Sequence, residues 1–85
     1  MGQIEKLKEK ILKIPSDLTY EEIKRFLMSL GYEEQNKGKT SGSRVAFYRE
    51  RDKAIILLHK PHPGNIIPKY ALRQIVEKLK IEGEL

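Results

Sequence analysis

The chain has 85 residues, 17 Lys+Arg against 12 Asp+Glu, a formal charge of +5 and a pI near 9.5, and it holds no Cys and two His. A length of this order makes one domain that buries only about two-thirds of its unfolded surface, which excludes a large internal cavity and sends any chemistry to an open face or shallow groove. The positive balance favours anionic partners; the missing cysteines exclude a disulfide framework and thiolate metal sites; and no apolar run nears the roughly 18 residues of a membrane span, so a cytoplasmic protein is expected.

Ile4, Leu7, Ile11 and Leu12 recur at helical spacing and predict a helix over 3–13, stopped by Pro15. Thr19 followed by Glu22 is a capping-box pattern, and Ile23, Phe26, Leu27 and Leu30 form an apolar stripe that ends at Gly31, a natural residue just past a helix end. Residues 32–37 read as a short polar strand and Gly38 to Gly42 as a loop. Arg44 to Glu50 alternates in polarity, and Arg51-Asp52 makes a tight connection to a strand that begins near Lys53. The run Ala54-Ile55-Ile56-Leu57-Leu58 is apolar on both faces, which predicts a strand covered on both sides. Pro61, Pro63 and Gly64 end it; Pro68 then suits the first turn of a last helix with Leu72, Ile75, Val76 and Leu79 buried, before Gly83.

The expected fold class is therefore α+β: a three-stranded antiparallel sheet with helices on one face. Residues 1–18 form an N-terminal helical extension and residues 19–85 the functional domain. With so few helices one sheet face stays open, and if Val45 and Phe47 turn inward, Arg44, Ala46 and Tyr48 turn to that face.

The candidate site lies at one end of this sheet. Gly42-Ser43-Arg44 leads into the middle strand, and His59-Lys60-Pro61-His62-Pro63-Gly64-Asn65 follows the last strand. Lys37, Lys39, Lys60 and Lys69 all fall in segments that flank the sheet, giving a basic rim for RNA phosphates. Arg44 is a phosphate ligand or a solvent-facing arginine paired with Glu50 or Asp52. Ser43 bonds the local backbone or a phosphate, and Tyr48 stacks on a base or packs in the core. Asn65 shapes a turn or, with Lys69 and the helix N-terminus, receives a phosphate. His59 reads as a structural histidine at the end of a buried strand and His62 as an exposed one. Two histidines three apart lack a third ligand, so neither a metal nor another cofactor is expected.

These pieces, in this order and spacing from Thr19 to Leu79, resemble the HicA family: small RNA-cleaving toxins of toxin-antitoxin pairs with a double-stranded-RNA-binding-domain-like α-β-β-β-α fold. The resemblance rests on Leu27-Met28-Ser29-Leu30-Gly31-Tyr32, the Gly42-Ser43-Arg44 lead-in, the histidine loop and the closing helix from Tyr70 to Leu79. It implies RNA, messenger or structured, as substrate class, a HicB-like antitoxin as protein partner, and metal-independent endoribonuclease chemistry. The family's pattern is Gly-Ser-His with a catalytic histidine, and Arg44 stands in that place. An imidazole takes a proton from a ribose 2′-OH; a guanidinium stays protonated but binds phosphate through its planar fork. Residues expected to act in cleavage are Arg44 with His62 or His59, His62 being the more accessible. Two readings stay open: a HicA-like toxin or toxin-derived RNA-binding protein, with or without cleavage, and a non-catalytic adaptor that docks an acidic protein through its basic face.

Overall fold

A computed structural model of the chain describes residues 3–35, 44–59 and 65–85. Helix α1 spans Gln3–Leu12 and turns Leu7 and Ile11, one turn apart, into the core. It closes through Lys13 and Ile14 N–H groups donating to the Lys10 and Ile11 carbonyls at 3.1 and 3.0 Å. Ile14 then takes φ 48°, clear of the helical region that the ring of Pro15 disfavours for its predecessor.

Helix α2, Tyr20–Ser29, starts as its spacing predicts. The Glu22 N–H donates to Thr19 Oγ1 at 3.1 Å, and the Thr19 N–H donates to Glu22 Oε1 at 3.0 Å. Its buried stripe is Tyr20, Ile23, Phe26 and Leu27. At the far end Gly31 sits at φ 98°, its N–H on the Met28 carbonyl at 3.1 Å and that of Tyr32 on the Leu27 carbonyl at 3.1 Å. That pair of bonds is the Schellman closure, and it needs the left-handed backbone that glycine adopts without strain.

Strands β1 (Glu33–Gln35), β2 (Arg44–Arg49) and β3 (Ala54–His59) form one antiparallel sheet in the order β1-β2-β3. Helix α3, Lys69–Ile81, closes the chain with Leu72, Ile75, Val76 and Leu79 buried. The segment before it is stitched to the start of α2: Tyr20 N–H donates to the Asn65 carbonyl at 2.9 Å and Ile67 N–H to the Leu18 carbonyl at 2.8 Å. The core lies between the helices and one sheet face, where Val45 and Phe47 of β2 meet Ile56 and Leu58 of β3. The α-α-β-β-β-α order and one-sided cover give the expected α+β, double-stranded-RNA-binding-domain-like fold.

One expectation fails. β3 is not covered on both faces: Ile55 is 49 % and Leu57 76 % exposed, while Ile56 and Leu58 are buried. Strand side chains alternate, and the helices all lie on one side, so every second residue of the apolar run faces outward whatever its hydrophobicity.

A second finding is a buried arginine. Arg49 is in phase with Val45 and Phe47, points inward and is 2 % exposed. Its Nε and Nη2 donate to the two carboxylate oxygens of Asp52 at 3.0 and 2.8 Å, and Nη1 donates to the Leu30 carbonyl at 3.1 Å and to Glu84 Oε2 at 2.8 Å. The guanidinium also lies 4.6 Å over the Tyr32 ring. A single side chain thus joins the β2–β3 turn, the end of α2 and the C-terminal residues, and its hydrogen bonds to Asp52 hold that carboxyl below the usual range.

Candidate functional site

The open face is built from three rungs of the strand ladder. Glu33 of β1, Tyr48 of β2 and Ile55 of β3 form the first; Gln35, Ala46 and Leu57 form the second; Arg44 and His59 pair to form the third. Positions directly opposite in an antiparallel pair bring their Cβ atoms to within about 4.5–5.5 Å. The register therefore brings together, across one rung, the residue at the motif position and one of the two histidines.

The face changes character along its length. Glu33 stands exposed at one end, Ile55 and Leu57 make an apolar middle, and His59 is exposed at the other end. Tyr48 and Ala46 are half-buried on this face, in the phase expected from inward Val45 and Phe47. His59, read from the sequence as a structural histidine at the end of a buried strand, is exposed, and among the described residues no hydrogen bond or ion pair to it is found. An exposed neutral imidazole carries one donor and one acceptor, the equipment for moving a proton.

Helix α3 begins beside the same end. His59 shares a groove with Pro68, which precedes α3, and with Tyr70 and Ala71 of its first turn, and Lys69 is exposed next to them. Pro68 caps the helix without a side-chain hydrogen bond. Asn65 takes φ 57°, and its carbonyl receives the Tyr20 N–H, so its backbone shapes the turn that brings α3 to the sheet. Lys37, Lys39, Ser43, Lys60 and His62, together with the loop expected over 38–42, lie outside the described residues.

The two carboxylates that the sequence offers to Arg44 lie beside other cations. Asp52 pairs with Arg49 at 2.8 Å, and Glu50 lies 3.7 Å from Lys53. Arg49 itself carries no obvious mark in the sequence except its phase: positions 45, 47 and 49 share one parity, so a strand whose Val45 and Phe47 point inward sends residue 49 inward too. A second polar cluster, Tyr20, Lys24 and Glu34, closes the opposite side of the sheet. The Tyr20 hydroxyl donates to Glu34 Oε2 and Lys24 Nζ lies 2.9 Å from Glu34 Oε1. Burial first, and then this hydrogen bond to a carboxylate, push the Tyr20 hydroxyl pKa upward, which fits a structural role rather than an acid-base one. Among the described residues no cluster of His, Asp and Glu could hold a metal ion, and no helix is long and apolar enough to cross a membrane.

Fold and site together define a small α+β domain of double-stranded-RNA-binding-domain-like topology with an open sheet face. A family model of the HicA toxin of bacterial toxin-antitoxin systems matches residues 20–81, the whole span from α2 through α3, and the chain belongs to that family. No curated protein and no solved structure gives a match.

Proposed function

We propose that this chain is the toxin of a type II toxin-antitoxin pair, that it binds RNA at the Arg44–His59 end of its open face, and that a HicB-like antitoxin is its protein partner. The observation that carries the reading is the register: Arg44, in the place of the family's histidine, stands directly across the ladder from an exposed histidine of this chain. The net charge of +5 and the exposed Lys69 beside the same end supply the attraction for a polyanion.

Arg44 is assigned the scissile phosphate, because a guanidinium fork binds two phosphate oxygens and stabilises the charge that builds on them during attack. His59 is assigned the proton. In metal-independent cleavage the ribose 2′-oxygen attacks phosphorus, its proton passes to the imidazole, the bond from phosphorus to the 5′-oxygen breaks, and that oxygen leaves with a proton from solvent water while the imidazolium returns its own to solvent. The products are a 2′,3′-cyclic phosphate and a 5′-hydroxyl. With arginine at position 44 there is one imidazole at this rung where the family's motif adds another, so wild-type cleavage is slow.

The test is cleavage of a mixed-sequence RNA in the presence of a chelator, between pH 5.5 and 8.5, with end-group analysis. Arg44→His is expected to cleave faster than wild type, and His59→Ala to abolish cleavage in both backgrounds. Unchanged rates in His59→Ala would place the proton acceptor elsewhere, and fast wild-type cleavage lost in His62→Ala would move the site to the 59–65 loop.

A further inference from the structure

The two edges of the sheet are unlike. β1 is three residues long and carries Glu33 and Glu34, whereas β3 is six residues long and reads Ala-Ile-Ile-Leu-Leu-His, with neither a lysine nor a proline. Short length, charge and proline are the devices by which natural sheets keep an edge from pairing with another chain, and β3 has none of them. Among the described residues no strand lies beyond β3 in the sheet, so alternate N–H and C=O groups of Ala54–His59 have no ladder partner there.

A groove of about 560 Å³ runs along this edge, between the strand and α3. All of residues 55–59 line it, both the inward and the outward parity, so the strand presents its backbone edge to the groove and not only a face. Ile66, Tyr70 and Lys78 form the opposite wall. Ile55, Leu57, Ile66 and Tyr70 are 49, 76, 37 and 68 % exposed, and they account for half of the exposed large hydrophobic residues described.

We propose that this groove is a strand-docking site, which takes an extended segment of a second, acidic protein as a fourth strand beside β3. Backbone pairing with a free edge, with side-chain contacts at alternate positions, is how extended peptides are held between an edge strand and a helix. Two observations choose the occupant. The four exposed side chains offer roughly 500 Å², the size of a large apolar patch on a monomer and less than the about 800 Å² per partner that a stable interface between globular chains buries. One added strand needs no more. The rim of the groove carries Lys69, exposed beside Tyr70, and its wall carries Lys78, whose Nζ lies 3.3 Å from Glu82. A second copy of a +5 chain is repelled there, and a segment with carboxylates flanking alternate apolar residues is attracted. The apolar wall and the unpaired backbone favour such a segment over RNA, whose phosphates need cations along their whole path. That the second protein is the antitoxin rests on the toxin-antitoxin reading above; the chemistry of the groove does not.

The test is an NMR titration of the full chain with a capped ten-residue peptide that alternates valine with glutamate and threonine. The same peptide N-methylated at alternate residues on one edge, a second N-methylated on the other, and Leu57→Glu protein serve as comparisons. Leu57 is already exposed, so its replacement leaves the fold intact, and the N-methylated peptides ask the same question of unaltered protein. Expected are amide shifts over 54–59 and 70–78, affinity that falls with salt, and a loss of about tenfold or more with one N-methylated peptide and with Leu57→Glu. The proposal is overturned by the absence of shifts over 54–59 at millimolar peptide, by equal binding of all three peptides, by concentration-dependent dimerisation through β3 in sedimentation, or by RNA producing those shifts where the peptide does not. RNA binding and cleavage are measured separately, so failure of the RNA site leaves this result standing, and the reverse.

Discussion

Replacing Arg49 with methionine keeps the length and the apolar stem of the side chain and removes only the guanidinium. Left behind are Asp52, which received two hydrogen bonds, Glu84 and Glu82, with nearest oxygens at 2.8, 2.8 and 3.5 Å from Arg49, and the Leu30 carbonyl that received Nη1. Removing one member of a buried ion pair costs about 3–5 kcal/mol, because the remaining charge is stranded. The cost here lies toward the lower end. The Asp52 side chain is 42 % exposed and regains water, Arg51 still reaches Glu84 at 3.0 Å, and Lys78 still reaches Glu82 at 3.3 Å. About 3 kcal/mol is therefore expected, which in a domain of this size lowers Tm by roughly 12–24 °C. Urea denaturation followed by far-UV circular dichroism measures it, with an unchanged m value showing that the unfolded state is the same. Arg51→Ala is the internal comparison: its side chain is 68 % exposed and shares the same Glu84 oxygen, so it is expected to cost less than about 0.5 kcal/mol. Equal effects of the two substitutions, or a loss below about 1 kcal/mol for Arg49→Met, would refute the reasoning.

Gly31→Ala is expected to destabilise by about 1–2 kcal/mol, because φ 98° is strained for any residue with a Cβ, and the added carbon would meet Arg49 Cδ at 3.4 Å; thermal unfolding checks it. Thr19→Ala removes the acceptor for the Glu22 N–H and is expected to cost about 1 kcal/mol, also read from thermal unfolding. Both Glu22 and Asp52 titrate below their usual values of 4.5 and 3.8, Glu22 first through the Thr19 N–H and then Lys10, Asp52 first through the Arg49 guanidinium. A carboxyl lowered in the folded state contributes stability that is complete above its unfolded value and is lost as pH falls through the lowered one. The urea midpoint is accordingly expected to be flat with respect to these two groups above about pH 5.5 and to fall below about pH 4.5, less steeply in Glu22→Gln and in Arg49→Met.

The elements legible in the sequence are those whose signals are local. Thr19 and Glu22, three apart, announce the start of α2, Gly31 its end, and the spacing of Leu72, Ile75, Val76 and Leu79 the buried side of α3, because capping and helical period act within a few residues. In β2 the alternation around Val45 and Phe47 shows which residues face outward. β3 was illegible in this respect: five consecutive apolar residues carry no period, and which faces are covered depends on how many helices the rest of the chain supplies. Arg49 escaped for a related reason. Its carboxylate partners Glu82 and Glu84 lie 33 and 35 residues away, and only the folded chain brings them together. Of the candidate site, the approach of the two ends of the β2–β3 hairpin follows from the tight Arg51-Asp52 turn, but the pairing of Arg44 with His59 depends on register, which a turn of four residues with Lys53 at φ 58° sets and composition does not.

The central claim, that RNA binds at the Arg44–His59 end of the sheet, is tested most directly by the salt dependence of RNA affinity for wild type and Arg44→Ala, measured by fluorescence anisotropy with a single-stranded RNA. Loss of one phosphate contact lowers the magnitude of the slope of log K against log salt by about 0.7 to 1, together with the affinity itself. The account predicts that reduction. An affinity and slope identical to wild type would remove Arg44, and with it this end of the face, from the RNA site.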